Sequence, residues 1–287
     1  MGVPRATSGR ARRLTVFLAF LAVVVIAALL IAPGALADAI SPEAGPSKNA
    51  VKTDTLYKIV LFAGVAVIAL VWGVLFYSLA RFRARRGRVA PQIRGNTPLE
   101  LGWTIGAGTL AVAMAIVTLL YLKDIRDPAA SGPSALADVS GENAAINQPS
   151  PPGDKALPIK VAGQQYLWRY QYPNGAVSFQ EMVVPKDTTV TLKITSNDVA
   201  HSWWIPKLGG KQDAIPGLTN ETWFKATKTG AFSGQCAEFC GANHAFMSAK
   251  VVVVEPAQYQ QWVNRQKQLI QQAQKEVQKQ RKKFQAS

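Results

Sequence analysis

Cysteine and histidine are scarce in this chain, whose 287 residues include two of each. Two cysteines are too few for a scaffold held by several disulfides, and the sequence has no Cys-x-x-Cys-His motif for covalent haem attachment. Charged residues are scarce as well, at 17% of the chain against roughly 25% in soluble proteins. Because 48% of the residues are hydrophobic, this shortage of charge favours a membrane protein.

Acidic residues are the rarer of the two charge types, since 17 Asp and Glu face 32 Lys and Arg, for a net charge of +15. Three short segments carry this whole excess: residues 1–13 with +4, 80–100 with +5 and 264–287 with +6. A nucleic-acid-binding domain would instead spread a basic face over the fold. We therefore expect no nucleic-acid partner.

The first of three apolar runs covers residues 14–32 and follows the arginine-rich start. It is followed by Ala35-Leu36-Ala37, an A-x-A pattern that is typical of signal-peptide cleavage. We predict a signal peptide over residues 1–37. The alternative is an uncleaved membrane helix, because the run is long for a signal sequence.

The second and third apolar runs, residues 59–79 and 101–122, contain no charged residue. About 20 apolar residues in a helix span the hydrocarbon core of a bilayer, so the runs predict a transmembrane hairpin over 38–123. A buried helix of a soluble domain is the alternative. The loop between the runs holds six arginines and should be cytoplasmic under the positive-inside rule. The chain after Lys123 is then expected on the outer face of a bacterial plasma membrane.

The remainder of the chain divides by composition into three parts. Residues 124–158 are rich in Pro, Ala, Ser, Gly and Asp, which is typical of a linker. Residues 159–255 contain short runs such as 189–195, in which apolar and polar residues alternate, and they predict a small β-sandwich or barrel. Residues 256–287 predict a basic, Gln- and Lys-rich tail, either a solvated helix or a contact to anionic lipid or a partner subunit.

The candidate chemistry is concentrated in one short segment. Cys236, Cys240 and His244 fall within nine residues, Met247 follows them, and His201 is the only other histidine. Thiolate, imidazole and thioether form a soft ligand set that suits copper, and two thiolates can bridge two metal ions. A disulfide and a Cys2His2 zinc site are the alternatives, but the first leaves the histidines unexplained and the second gives Met247 no role.

The sequence Cys-Ala-Glu-Phe-Cys-Gly-Ala-Asn-His-Ala-Phe-Met at residues 236–247 resembles the dinuclear copper (CuA) loop of cytochrome c oxidase subunit 2. The segments at residues 201–206 and 213–217 are similar to that family as well. The resemblance implies a two-helix transmembrane hairpin followed by a cupredoxin-like β-sandwich or barrel. It also implies that one CuA site lies in the domain at residues 159–255.

The same resemblance implies roles for individual residues. It makes the Glu238 carboxylate a ligand of magnesium at the boundary with subunit 1. It places Glu100 at the mouth of a proton pathway, whereas a helix N-terminal carboxylate favoured by the helix dipole is the alternative for that residue. It assigns two copper ions to the side chains of His201, Cys236, Cys240, His244 and Met247 and to the backbone carbonyl of Glu238.

The function implied by the resemblance is electron input to a haem–copper oxidase. Cytochrome c would reduce the copper pair, and haem in subunit 1 would receive the electron and reduce oxygen there. Subunit 1 is the expected partner, together with subunit 3. A quinol oxidase homologue would lack the copper ligands. A membrane-tethered copper-binding or copper-delivery protein and the CuA subunit of a nitrogen-oxide reductase are the remaining alternatives.

The expected site of electron input departs from the family pattern. Tyr166 occupies the place of a tryptophan that usually accepts the electron, and Trp168 follows it, with core packing as the alternative for Trp168. Arg169 and Gln171 stand where the family often has acids that dock a basic cytochrome, although Asp198 is retained. A donor that is tethered or held in a supercomplex is therefore expected to need no steering by charge.

Overall fold

The computed structural model describes residues 45–83, 92–132 and 156–285. The predicted signal peptide at residues 1–37 lies outside the described residues. So do residues 84–91 of the arginine-rich loop and residues 133–155 of the predicted linker. The described residues form two compact units, and each is treated by itself below.

Two long helices match the predicted membrane hairpin. Helix α1 spans Lys48–Arg81 and helix α2 spans Thr97–Arg126, and both are long and apolar enough to cross a membrane. Each extends beyond its predicted apolar run at both ends. The start of α2 is stabilised by Asn96, whose side-chain oxygen accepts a hydrogen bond from the backbone N–H of Leu99 at 3.2 Å. The extra turns therefore come from capping and from polar helix ends, which apolar composition does not reveal.

Ten strands form the β-domain, arranged in two five-stranded sheets. The strands are β1 (Leu157–Gln164), β2 (Leu167–Gln171), β3 (Val177–Phe179), β4 (Glu181–Pro185), β5 (Thr189–Ser196), β6 (His201–Trp204), β7 (Gln212–Ala214), β8 (Asn220–Lys225), β9 (Gly230–Cys236) and β10 (Ser248–Val254). The first sheet has the order β3-β2-β1-β5-β8 and the second has the order β4-β10-β9-β6-β7. Strands β1 and β5 are parallel, as are β4 and β10, and the other pairs are antiparallel. The two helices and this β-domain confirm the predicted fold class.

The core of the β-domain lies between the two sheets. Alternate residues of β1 and β5 are buried, with Ile159 and Leu192 each 1% exposed, and Met182 of β4 and Val251 of β10 are fully buried. This alternation is the period of two that the sequence shows at residues 189–195, because successive side chains of a strand point to opposite faces. The outward positions of β5 are occupied by polar residues such as Thr191 and Lys193.

The β-domain extends past residue 255, where the sequence analysis ended it. Helix α3 spans Pro256–Gln285, and its first two turns bury Tyr259 and Val263 at 3% exposure each. The ring of Trp262 packs on that of Tyr172, with centroids 4.9 Å apart. The start of the predicted tail is thus part of the core. Its glutamines and lysines hid this packing because they dominate the composition of the segment.

Both helix ends nearest the β-domain attach to its edge strand β8. The indole N–H of Trp223 donates to the carbonyl of Ile125 at 2.9 Å, and Asn49 donates to the carbonyl of Trp223 at 2.6 Å. Ser47 forms a β-bridge with Ala226. An edge strand offers backbone groups that no neighbouring strand satisfies, and these contacts occupy some of them. The first part of the predicted linker is therefore fixed to the β-domain.

Candidate metal centre

Strand pairing brings the candidate ligands together from distant parts of the chain. Cys236 is the last residue of β9 and pairs with Trp203 of β6, the strand that begins at His201. The loop of residues 237–247 connects β9 to β10 and closes on itself, since the backbone N–H of Cys236 donates to the carbonyl of Met247 at 2.9 Å. His201 thereby reaches Cys236, which lies 35 residues later in the sequence.

Two thiols form the centre of the site, and each lies beside one imidazole. The Sγ atoms of Cys236 and Cys240 are 3.9 Å apart. Nδ1 of His201 lies 3.8 Å from the Cys236 sulfur, and Nδ1 of His244 lies 3.5 Å from the Cys240 sulfur. Two sulfurs and two ring nitrogens are thus brought together, and they would be suited to hold soft metal ions.

Two further donor atoms complete the cluster. The thioether sulfur of Met247 lies 3.8 Å from the Cys240 sulfur, and the backbone carbonyl oxygen of Glu238 lies 3.2 Å from the Cys236 sulfur. All six residues proposed as ligands from the sequence therefore have a donor atom at the cluster. The side chain of Glu238 itself is exposed.

The site is dry and disfavours uncompensated negative charge. His201 and Met247 are fully buried, and the two cysteines are 3–4% exposed. Burial, together with the neighbouring Cys236 thiol, raises the pKa of the Cys240 thiol to about 11. A bound cation would offset this penalty, because a metal ion binds thiolate and deprotonates the thiol. The two cysteines are free thiols, and their 3.9 Å separation is too long for a disulfide. The donor set therefore fits soft metal ions.

Asp198 holds the ring of His201 in place. Its Oδ1 atom lies 2.8 Å from Nε2 of His201, which leaves Nδ1 facing the cluster. Partial burial raises the pKa of Asp198, but hydrogen bonds from the Gln165 and Val199 N–H groups and from the His201 ring lower it to about 2. In the sequence Asp198 stands out only as a retained acid, although its position three residues before a candidate ligand was a usable signal.

Gly163 and Trp168 support the other side of the same ring. A side-chain carbon at Gly163 would lie 3.0 Å from Cδ2 of His201 and 3.1 Å from the ring of Trp168. Trp168 is fully buried and meets His201 edge to face, with ring centroids 5.9 Å apart. Trp168 therefore packs against a candidate ligand, as the core-packing alternative expects, and its part in electron input stays a prediction. Side chains alternate between the two faces of β2, and Trp168 lies on the inward face. The sequence alone did not decide between the two faces.

Tyr166 and Gln165 lie over the cysteine loop. The side-chain amide of Gln165 donates to the carbonyl of Cys240 at 2.6 Å. A side-chain carbon at Gly241 would lie 2.7 Å from the Tyr166 hydroxyl, and Gly241 also has a φ of +129°, which favours glycine. Tyr166 is half-buried, so part of its ring remains accessible beside the site. Nothing in the sequence pattern pointed to Gln165.

Glu100 is part of a helix cap. Its Oε1 atom accepts a hydrogen bond from the backbone N–H of Asn96 at 3.1 Å, at the start of α2. Together with the bond from Leu99 to Asn96, this forms a reciprocal cap close to the capping-box pattern. The alternative given for Glu100, a helix N-terminal carboxylate, therefore accounts for its position in the described residues.

Comparison with known proteins identifies close relatives of the β-domain and of most of the chain. Residues 178–255 match the family described as cytochrome c oxidase subunit II, periplasmic domain. Cytochrome c oxidase subunit 2 of Thermostichus vulcanus is 31% identical over 255 residues, which cover 78% of this chain and 77% of that protein. The protein of the same name from Alkalihalophilus pseudofirmus is 34% identical over 223 residues, 76% of this chain but only 59% of that protein.

Two solved structures are similar to this chain in amino-acid sequence. The periplasmic domain of subunit II of cytochrome oxidase (CoxB) of Bradyrhizobium japonicum is 40% identical and covers 40% of this chain and 95% of that structure, with a TM-score of 0.39. A mixed disulfide between a thioredoxin-like protein and subunit II of cytochrome c oxidase is 42% identical, covering 40% of this chain and 93% of that one, with a TM-score of 0.37.

Proposed function

The chain belongs to the cytochrome c oxidase subunit 2 family, and on that basis we propose that its cluster binds two copper ions that carry electrons from a cytochrome c to haem in subunit 1. The members named above are subunits of respiratory oxidases. The relatives' names favour the oxidase over a copper-delivery protein or a nitrogen-oxide reductase subunit. The proposed ligands, which a quinol oxidase would lack, are all present.

The arrangement of the two thiols carries this proposal. Cys236 and Cys240 lie 3.9 Å apart, and each faces a different histidine, so each half of the cluster offers one thiol and one imidazole. A zinc site would need four donors around one centre and would leave Met247 without a role. Copper prefers the softer set of thiolate, imidazole and thioether. When bound, the copper pair supplies a one-electron carrier.

The residues around the cluster keep its geometry constant, which is what fast electron transfer requires. Asp198 orients His201, Gln165 holds the Cys240 carbonyl, and the buried ring of Trp168 limits the motion of His201. Full burial of His201 and Met247 excludes water from that side. A site that is already arranged changes little when an electron arrives or leaves.

An exposed apolar patch beside His244 supports contact with a partner subunit. Phe239 packs against the His244 ring with centroids 5.7 Å apart and is 77% exposed, and Phe246 is 79% exposed. Exposed aromatic groups of this size favour an interface. We propose that this patch faces subunit 1 and that the electron leaves through His244. The exposed Glu238 carboxylate would bind magnesium at the same boundary, and subunit 3 would complete the complex.

The membrane arrangement completes the proposal. The chain is a membrane protein with two helices able to span the bilayer. We propose that it lies in a bacterial plasma membrane with the β-domain on the outer face, since the loop between the helices carries the arginines. In this orientation Glu100 starts its helix on the inner side, where a proton pathway into subunit 1 would open.

Metal content and spectroscopy test the copper pair directly. The full chain, loaded with copper, should bind two copper ions per chain and give an electron paramagnetic resonance signal split by both nuclei. Cys236→Ser and Cys240→Ser should each remove that signal, because one thiolate cannot form the double bridge. One copper per chain, or a four-line signal from a single copper, contradicts the proposal.

A further inference from the structure

Helix α3 continues for about six turns beyond the part that packs on the β-domain, and this extension is amphipathic. At 100° per residue, its apolar side chains fall within about 100° of the helix surface, in line with the buried Tyr259 and Val263. We call these residues the tail stripe: Leu269, Ile270, Ala273, Val277 and Phe284. Leu269 and Val277 are each 51% exposed, and Phe284 is 88% exposed.

The extension is also strongly basic: six of its cations lie outside the tail stripe, and Arg281 lies at the edge of the stripe, in line with Val263. From residue 264 onward it carries seven cations and a single acid, Glu276. The cations are Arg265, Lys267, Lys275, Lys279, Arg281, Lys282 and Lys283. A helix with a basic polar face and a narrow apolar stripe is the kind that lies at the interface of a membrane with anionic lipids. We propose that the extension of α3 binds the surface of an anionic bilayer.

A partner helix fits the same segment less well. In a coiled coil, Ile270 and Val277 would occupy one core position of successive heptads, and residues 266, 273 and 280 would occupy the other. Two of these three residues are glutamines, Gln266 and Gln280. The remaining position is Ala273, so each heptad offers about one large apolar residue. The basic face also lacks the acids that would form pairs within a helical bundle. Lipid headgroups need only the charge and a shallow apolar stripe.

The place where α3 begins also supports binding to the bilayer. Val254, two residues before α3, accepts a hydrogen bond from the N–H of Lys186 at 2.8 Å. The next residue, Asp187, donates to Ala226, which bridges Ser47 at the start of α1. The helix therefore starts at the end of the β-domain that is joined to the membrane helices. Because the chain is already anchored, its tail meets the lipid surface at high effective concentration.

The test measures amide hydrogen exchange at residues 268–284 in the full chain, reconstituted in nanodiscs of two compositions. One contains phosphatidylcholine only, and the other also contains phosphatidylglycerol. At low salt we expect exchange to be about tenfold slower in the anionic discs, and high salt should remove most of the difference. The readout is the ratio of the exchange rates in the two disc types. A variant whose helix is less stable in both disc types therefore remains informative.

Two sets of substitutions separate the stripe from the charge. Leu269→Gln with Val277→Gln removes the stripe, and Lys275→Gln with Lys279→Gln removes charge, and each pair should reduce the ratio. Lys211→Gln with Lys228→Gln, exposed lysines of the β-domain, is the matched control and should not change it. Equal exchange in both disc types overturns the proposal. Slow exchange that is equal in both disc types and becomes slower as the protein concentration rises also overturns it, because the extension then binds a second copy of the chain.

Discussion

Nε2 of His201 lies 2.8 Å from Oδ1 of Asp198, while Nδ1 of the same ring lies 3.8 Å from the Cys236 sulfur. One ring nitrogen is thus occupied by a carboxylate, and the other is presented to the candidate metal centre. The carboxylate is itself held by the backbone N–H groups of Gln165 and Val199, each at 2.7 Å. The ligand is oriented by a neighbour that does not touch the thiols.

Removing this carboxylate should weaken copper binding. Asp198→Ala frees the His201 ring to turn, and the loss of such a partner typically costs about 10–100-fold in metal affinity. Asp213→Ala is the matched control, because Asp213 bonds Ser202, the neighbour of His201, and makes no contact with the cluster. Copper titration with a competing chelator measures both. Equal losses in the two variants would contradict the positioning role.

Met247 should affect the copper spectrum but not the fold. Met247→Leu nearly conserves volume, so its cost in stability is expected to be below about 1.5 kcal/mol. Met182→Leu provides the control, since Met182 is also fully buried but lies in β4, outside the loop that carries the candidate ligands. Absorption and paramagnetic resonance spectra should change in Met247→Leu alone. Identical spectra in the two variants would remove Met247 from the ligand set.

Tyr166 and Trp168 should have separable effects. Tyr166→Ala is expected to slow reduction by the donor while the copper spectrum stays unchanged, and Tyr166→Phe, which keeps the ring, should restore the rate. Trp168→Ala creates a cavity beside His201 and should lower the free energy of unfolding by about 3–5 kcal/mol. Stopped-flow reduction and chemical denaturation measure these changes. A normal rate in Tyr166→Ala would exclude that residue from the electron path.

Two truncations should locate the end of the β-domain. A chain ending at Asn264 keeps Tyr259 and Val263, so its copper spectrum and stability should match those of the full chain. A chain ending at Glu255 loses both buried side chains, and its free energy of unfolding should fall by about 3–6 kcal/mol, at about 1.5–3 kcal/mol for each. Thermal unfolding compares the two. A loss of stability in the longer chain would place the boundary further along α3.

The charge on the outer face of the first sheet should govern the response to the donor. Arg169 and Gln171 share the outer face of the first sheet with Lys160 and Lys193, around a groove of about 720 Å³. One acid, Glu221, lines this groove against three basic residues, so a soluble basic cytochrome meets no acidic patch there, and its oxidation should be slow and only mildly dependent on salt. Kinetics from low to high ionic strength measure this. Fast oxidation that collapses with salt would contradict the expectation.

Much of the site could be predicted because its residues are rare and close in sequence. Cys236, Cys240, His244 and Met247 lie in one loop, and a soft ligand set at that spacing points to copper whatever the surrounding fold. Gln165, Gly163 and Trp168 could not be assigned in this way. Their contacts to Cys240 and His201 depend on which face of a strand each side chain occupies and on which strands are neighbours.

The sequence by itself determined the two apolar helices, the period-two strands and the ligand types, because these depend on local composition and spacing. Tertiary structure decided which atoms meet. Pairing of β6 with β9 carried His201 to the cysteine loop, and Asp198 reached the ring of His201 through a turn. It also placed Tyr259 and Val263 in the core, since burial depends on the surface that the rest of the fold presents and not on the composition of the segment itself.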